Sequence, residues 1–370
     1  MTVIPAPLVM AGWLGVALMS GYLLHVGRGV LIPLALAILI WQLINAASHR
    51  FDRVRIGGRP LQRWQRLVVG TVLAVLAMWL FANLVLSNVG AVSASAPTLE
   101  ANLLALLPRI ARMFGLPPPE SMSELVAQID LDVLIRAIAA ALAGFVGSLG
   151  LVTLYVAFML FEQETFERKI MALSGDAAKA ATARLVLTDI ERRVERYLWI
   201  KFLTSLLTAF LSWAVLALIG CQNASFWAVL IFFLNFIPVV GSLVSAVFPS
   251  LLLLVQFGSF GPFFLGLACL AVVQIGVGNV LEPRLMGRSL NLSPVAILFA
   301  LAVWGGLWGI AGMVLCVPIT VIVMIVCAHF EATRPFAILL SADADIGPAL
   351  GSPSAAPAAG LAPALSKPVA

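Results

Sequence analysis

Runs of roughly twenty apolar residues recur along this chain, and each is long enough to cross a hydrocarbon core about 30 Å thick as one helix. Leu8–Val26 and Gly29–Ala47 come first, with only His25 and Arg28 at their joint, so they form a tight helical pair. Leu67–Leu86, Ala137–Phe161, Tyr197–Gly220 and Phe263–Leu281 repeat the pattern. Composition agrees. A soluble domain carries about 25% charged residues, whereas this chain has 11%, with 62% hydrophobic residues and a mean hydropathy of +1.07. Such a chain could not cover its surface with polar groups in water. The implied fold class is an all-α polytopic integral membrane protein with about eight membrane segments, two of them broken or re-entrant in the C-terminal half. Met1–Pro7 has no basic run ahead of the first apolar segment, so that segment is expected to be retained as a helix.

Arginine placement sets the expected topology. Residues 48–66 hold Arg50, Arg53, Arg55, Arg59, Arg63 and Arg66 between two crossings, the mark of a cytoplasmic loop. Both termini then fall on the cytoplasmic side. Four regions result. Residues 1–86 hold three crossings, and 87–136 form an extracytoplasmic segment of short amphipathic helices interrupted by Pro97, Pro108 and Pro117 to Pro119. Residues 137–330 form the main membrane region, with a charged cytoplasmic helical hairpin at 162–196. Residues 331–370 are an Ala/Pro-rich cytoplasmic tail expected to be disordered.

Several function classes find no support. The net charge of +5 is accounted for by topology-setting arginines, so no nucleic-acid partner is implied. No phosphate-binding loop, HExxH or GxSxG occurs. Cys221, Cys269, Cys316 and Cys327 lie in or beside apolar segments without metal-ligand spacing, and His25, His49 and His329 are scattered. No enzyme activity, cofactor or metal is expected.

The C-terminal half holds the informative breaks. Phe226–Phe257 is about 48 Å long as a single helix, too long for one crossing, and is interrupted at Asn235-Phe236-Ile237-Pro238 and Gly241. Ser293–Ala328 is again too long and is interrupted at Trp304-Gly305-Gly306-Leu307-Trp308-Gly309. Either both runs are kinked crossings, giving eight helices, or both are re-entrant hairpins beside six full crossings. Pro238 removes a backbone donor, so Asn235 and the freed carbonyls can line a route, or the motif is only a kink. Gln274 and Asn279 are amides on an apolar helix that Glu282-Pro283-Arg284 ends. Glu282 and Arg284, two residues apart, are each expected to meet a partner on another segment, with Lys201 a candidate for Glu282. The alternatives are an interfacial stop signal for the pair and snorkelling for Lys201.

At these residues the chain resembles the autoinducer-2 exporter family of transporters and permeases. The resemblance rests on Tyr197-Leu198-Trp199-Ile200-Lys201, on Asn235 through Ser242, on Gly278-Asn279-Val280-Leu281-Glu282-Pro283-Arg284-Leu285-Met286-Gly287-Arg288, and on the Trp304–Gly309 block. It implies about eight membrane segments, cytoplasmic termini in a bacterial inner membrane, and a homo-oligomer, with a pentamer suggested. The function it implies is a secondary transporter exporting a small polar solute such as autoinducer-2. The competing readings are a monovalent cation/proton antiporter, which the scarcity of intramembrane carboxylates disfavours, and a non-transporting scaffold, which has no need of broken polar segments at membrane depth. The route residues are then Asn235, Pro238, Gly241, Gln274, Asn279, Glu282 and Arg284, with Lys201 as charge partner and lipid and solute as partners.

Overall fold

The computed structural model describes residues 6–50, 147–163, 177–287 and 290–343, with scattered positions from 55 to 144 and at 165, 168 and 169. Most of the expected third crossing, most of the segment 87–136 expected on the extracytoplasmic side, and residues 344–370 lie outside the described residues. So does most of the basic loop, although Arg55–Ile56 and Arg59–Pro60 (β1 and β2) form a short antiparallel ladder within it.

Helices α1 (Ala6–Val26) and α2 (Arg28–Arg50) are joined at Gly27. Helix α3 (Gly147–Gln163) packs on α2 through Ala37, Ile44, Val152 and Val156. Helix α4 (Ala177–Ile219) runs unbroken for 43 residues. The second arm of the expected cytoplasmic hairpin is thus continuous with the fifth crossing. Five helices among the described residues are long and apolar enough to cross a membrane: Arg28–Ser48, Ala183–Ile219, Val240–Phe257, Phe260–Met286 and Pro294–His329. Leu206, Phe210, Leu251, Phe264 and Phe299 are large, apolar and exposed on their outer faces. Lipid, not water, suits such a surface.

Both overlong runs turn back on themselves. Helix α5 (Ala224–Leu234) ends at Asn235, and α6 (Val240–Phe257) starts five residues further on. A Cβ placed at Gly241 would overlap the Leu234 carbonyl. A straight helix would hold residues 234 and 241 about 10 Å apart, so the chain reverses. The two far ends also meet: Gln256 donates from Nε2 to the Gly220 carbonyl at 2.8 Å and accepts from the Gln222 N–H at 2.8 Å. Both ends of this hairpin therefore sit at the Gly220 end of α4.

The second hairpin enters from the opposite end. Helix α9 (Pro294–His329) breaks at Gly309, whose φ of 61° and ψ of −140° are not helical. A Cβ at Gly312 would overlap the Trp304 carbonyl, so the arms diverge from a tight turn. The base of this hairpin is tied by α10 (Arg334–Leu340): Ser293 N–H donates to the Leu340 carbonyl, and Ala342 N–H to the Asn291 carbonyl, each at 3.0 Å. Its tip reaches α1, where Trp308 Nε1 donates to the Leu24 carbonyl at 3.0 Å. The outcome is the hairpin threading. One expectation is corrected: residues 331–343 are not a disordered tail, because Ala337 and Leu340 are buried against the hairpin base.

Two cores result. The larger joins Val194, Tyr197 and Leu198 of α4 to Ile237 at the first tip and to both arms of α9. The smaller, at the Gly220 end, gathers Leu216, Cys221, Ala246, Leu253 and Leu270. Burial there pushes the Cys221 thiol up to about 11, so it packs as an inert apolar group.

Candidate functional site

Helix α4 carries Lys201, Thr204, Ser205, Thr208 and Ser212, each three or four residues from at least one other of them, and all five are buried. Residues at this spacing share a face, so an apolar crossing has a polar stripe turned into the protein. Thr208 satisfies itself by donating to the Thr204 carbonyl at 2.8 Å.

Lys201 opens the stripe. Its Nζ donates to both Glu282 oxygens, at 2.8 and 3.0 Å, and Thr204 Oγ1 adds a third bond to Oε2 at 3.3 Å. The two side chains are only 9% and 13% exposed, which makes this a buried ion pair and not a solvated one. Glu282 reaches this position through an unusual backbone. Helix α7 (Phe260–Gln274) passes into a π-helical stretch, Ile275–Leu281, before the short α8 (Glu282–Met286). Gly276 and Gly278 lie in that stretch. A π turn widens the helix and resets the angular register of everything after it.

The first hairpin delivers Asn235 to the same stripe. Its Nδ2 donates to Ser205 Oγ at 3.0 Å, one turn from Lys201. The tip is about 20 Å along α4 from its Gly220 end, or some two-thirds of the way through a hydrocarbon core. The expected free carbonyls are mostly used locally: Phe233 accepts from Phe236, Leu234 from Ile237, and Ile237 from Gly241. Pro238 and Val240 close a γ-turn, with Val240 N–H donating to the Pro238 carbonyl at 2.6 Å and Val239 at φ 62°, ψ −59°. A β-branched residue at positive φ is strained, and such strain gathers at functional sites.

The remaining expected site residues divide. Gln274 is buried on α7 and its Nε2 has no hydrogen-bond partner among the described residues. Asn279 and Arg284 are exposed. Arg284 therefore departs from the expectation that it meets a partner: its side chain is exposed and makes no ion pair among the described residues.

A profile of the AI-2E family transporter matches residues 14–332. The chain belongs to the AI-2E family. YhhT of Escherichia coli K12 is 30% identical over 322 residues, covering 86% of this chain and 89% of YhhT. "AI-2 transport protein TqsA" of the same strain is 29% identical over 348 residues, covering 90% of this chain and 98% of TqsA. This AI-2E protein is accordingly a multi-pass membrane protein of a transporter family. The hydroxyls of Thr204, Ser205, Thr208 and Ser212 are not among the residues expected from the sequence. Their signal was present as hydroxyls four residues apart on an apolar helix.

Proposed function

We propose that this AI-2E protein is a secondary transporter that exports a small polar solute of the autoinducer-2 type across a bacterial inner membrane. The observation that carries it is the buried polar stripe of α4, met at membrane depth by a broken hairpin through Asn235 and closed at one end by Lys201–Glu282. Polar groups in the hydrocarbon region cost free energy and are retained where they serve a route. The name of TqsA supplies the solute type. The Lys201 end faces the cytoplasm in this reading. Arg184, Arg192, Arg193 and Arg196 extend from that end of α4, and α2 leads there into the basic loop. Both termini are cytoplasmic, and the working unit is a homo-oligomer, a pentamer in the simplest assembly.

A second reading, monovalent cation/proton antiport, draws on one observation: Glu282 is a carboxylate largely withdrawn from solvent. Flux from proteoliposomes separates the two. Export predicts counterflow of autoinducer-2 with no sodium movement. Antiport predicts sodium flux driven by an imposed pH gradient, with no solute movement. Absence of every flux from intact, correctly assembled protein would reject both.

Asn235→Leu removes the amide that meets Ser205 and leaves that hydroxyl unpaired in an apolar setting. It is expected to insert normally and to lower flux at least tenfold, about 1.4 kcal/mol or more. Wild-type flux in this variant would reduce Asn235 to a structural cap of α5.

A further inference from the structure

We infer that Ser212, Ser245 and Gln274 form a neutral hydrogen-bonding seat for the transported solute, selective for uncharged, oxygen-rich molecules such as polyols. The inference rests on the transport reading and adds the solute class and two residues, Ser212 and Ser245, beyond those expected from the sequence. Ser212 and Ser245 are 0% and 1% exposed, Gln274 is 6% exposed, and Ser212 Oγ, Ser245 Oγ and Gln274 Nε2 have no hydrogen bond among the described residues. Nearby hydroxyls behave differently: Thr208, Ser250 and Thr320 each donate to the carbonyl four residues earlier. Buried polar atoms are almost always bonded, and an unmade bond costs about 1–3 kcal/mol.

The three residues lie on three helices, and the packing register brings them to one level. Thr204 bonds Glu282, and Leu216 shares a core with Leu270, which fixes an antiparallel register between α4 and α7. Ser212 lies as far beyond Thr204 as Gln274 lies before Glu282, so the two fall opposite each other. A Cβ at Gly266 would run into Leu253, which fixes α6 against α7. Ser245 lies as far before Leu253 as Gln274 lies after Gly266, so Ser245 falls at the same level. The seat is then bounded by the Leu216–Leu253–Leu270 core on one side and the Asn235–Ser205 bond on the other.

Its chemistry sets the class. An amide N–H₂ only donates, and two hydroxyls donate or accept. No charged side chain belongs to the trio. An oxygen-bearing neutral molecule satisfies all three groups. Neither a cation nor an anion finds a countercharge in the trio to offset its desolvation.

Purified full-length protein tests this by equilibrium binding and proteoliposome flux, with radiolabelled ribose as the neutral probe, lactate as the anion and sodium as the cation. The expected result is saturable ribose binding, weakened about tenfold in Gln274→Leu and about fivefold in Ser212→Ala or Ser245→Ala. The empty Ser→Ala variants should melt no lower than the wild type, since each loses an unpaired buried hydroxyl. Ribose binding unchanged in all three variants, or lactate or sodium bound in place of ribose, overturns the seat, as does a Tm drop in both Ser→Ala variants. Ribose binding that responds to the variants without any flux upholds the seat and defeats the transport reading. Flux that ignores the variants does the reverse.

Discussion

Glu282→Gln is expected to destabilise the protein by about 3–5 kcal/mol, because it leaves Lys201 charged, buried and without its carboxylate. The pair is held at 2.8 and 3.0 Å with both partners largely out of solvent, so no water replaces the missing oxygen cheaply. Lys201→Met should cost a similar amount by stranding Glu282, softened by the Thr204 hydroxyl. The double variant Lys201→Met with Glu282→Met is the informative one. Removing both charges removes the unpaired charge, and buried pairs replaced by apolar side chains are often neutral in stability. It should melt near the wild type yet fail to transport. The charge exchange Lys201→Glu with Glu282→Lys should recover part of the lost flux. Thermal unfolding in detergent and flux in proteoliposomes read both. Single variants that melt and transport like the wild type would make these charges solvated interfacial groups.

The tight turns carry the next largest expectation. Gly241→Val and Gly312→Val each drive a side chain into backbone, the Leu234 carbonyl in one case and the Trp304 carbonyl in the other. Neither carbonyl is a flexible group that swings away, so the hairpin arms must separate. Losses beyond about 3 kcal/mol are expected, seen as failure to recover monodisperse protein. Gly306→Ala and Gly261→Ala meet nothing within 4 Å and serve as controls that should fold normally. Tolerance of valine at both 241 and 312 would mean that the arms do not close as described.

Much of this was legible in the sequence. Apolar run length marked the long apolar helices among the described residues, and the same arithmetic showed that Phe226–Phe257 and Ser293–Ala328 had to break. Asn235, Pro238 and the Trp304–Gly309 block marked where. What run length could not supply was direction, since a kink and a reversal use the same residues; the Gln256 bonds to Gly220 and Gln222 decide it. The hydroxyl stripe of α4 stayed hidden for a related reason. Serine and threonine often bond their own helix backbone and then mean nothing, and only the hydrogen bonds of the folded chain distinguish Ser212 from Thr208. Arg284 differs from Glu282 because closeness in sequence across Pro283 does not give the two side chains one environment: Glu282 turns into the bundle and Arg284 out of it. Arg334–Leu340 reads as tail because Ala, Pro and Gly dominate residues 347–364, although Phe336 to Leu340 is apolar throughout.

The proposed route depends on Asn235 sitting at a re-entrant tip, and sidedness tests that most directly. Gln222→Cys and Ser259→Cys bracket the first hairpin and are introduced singly, with the four native cysteines replaced by alanine. An impermeant thiol reagent applied to intact cells should label both, because both ends of the hairpin emerge on one face. Labelling of one from outside and of the other only after permeabilisation would make Ala224–Phe257 a single kinked crossing and contradict the hairpin.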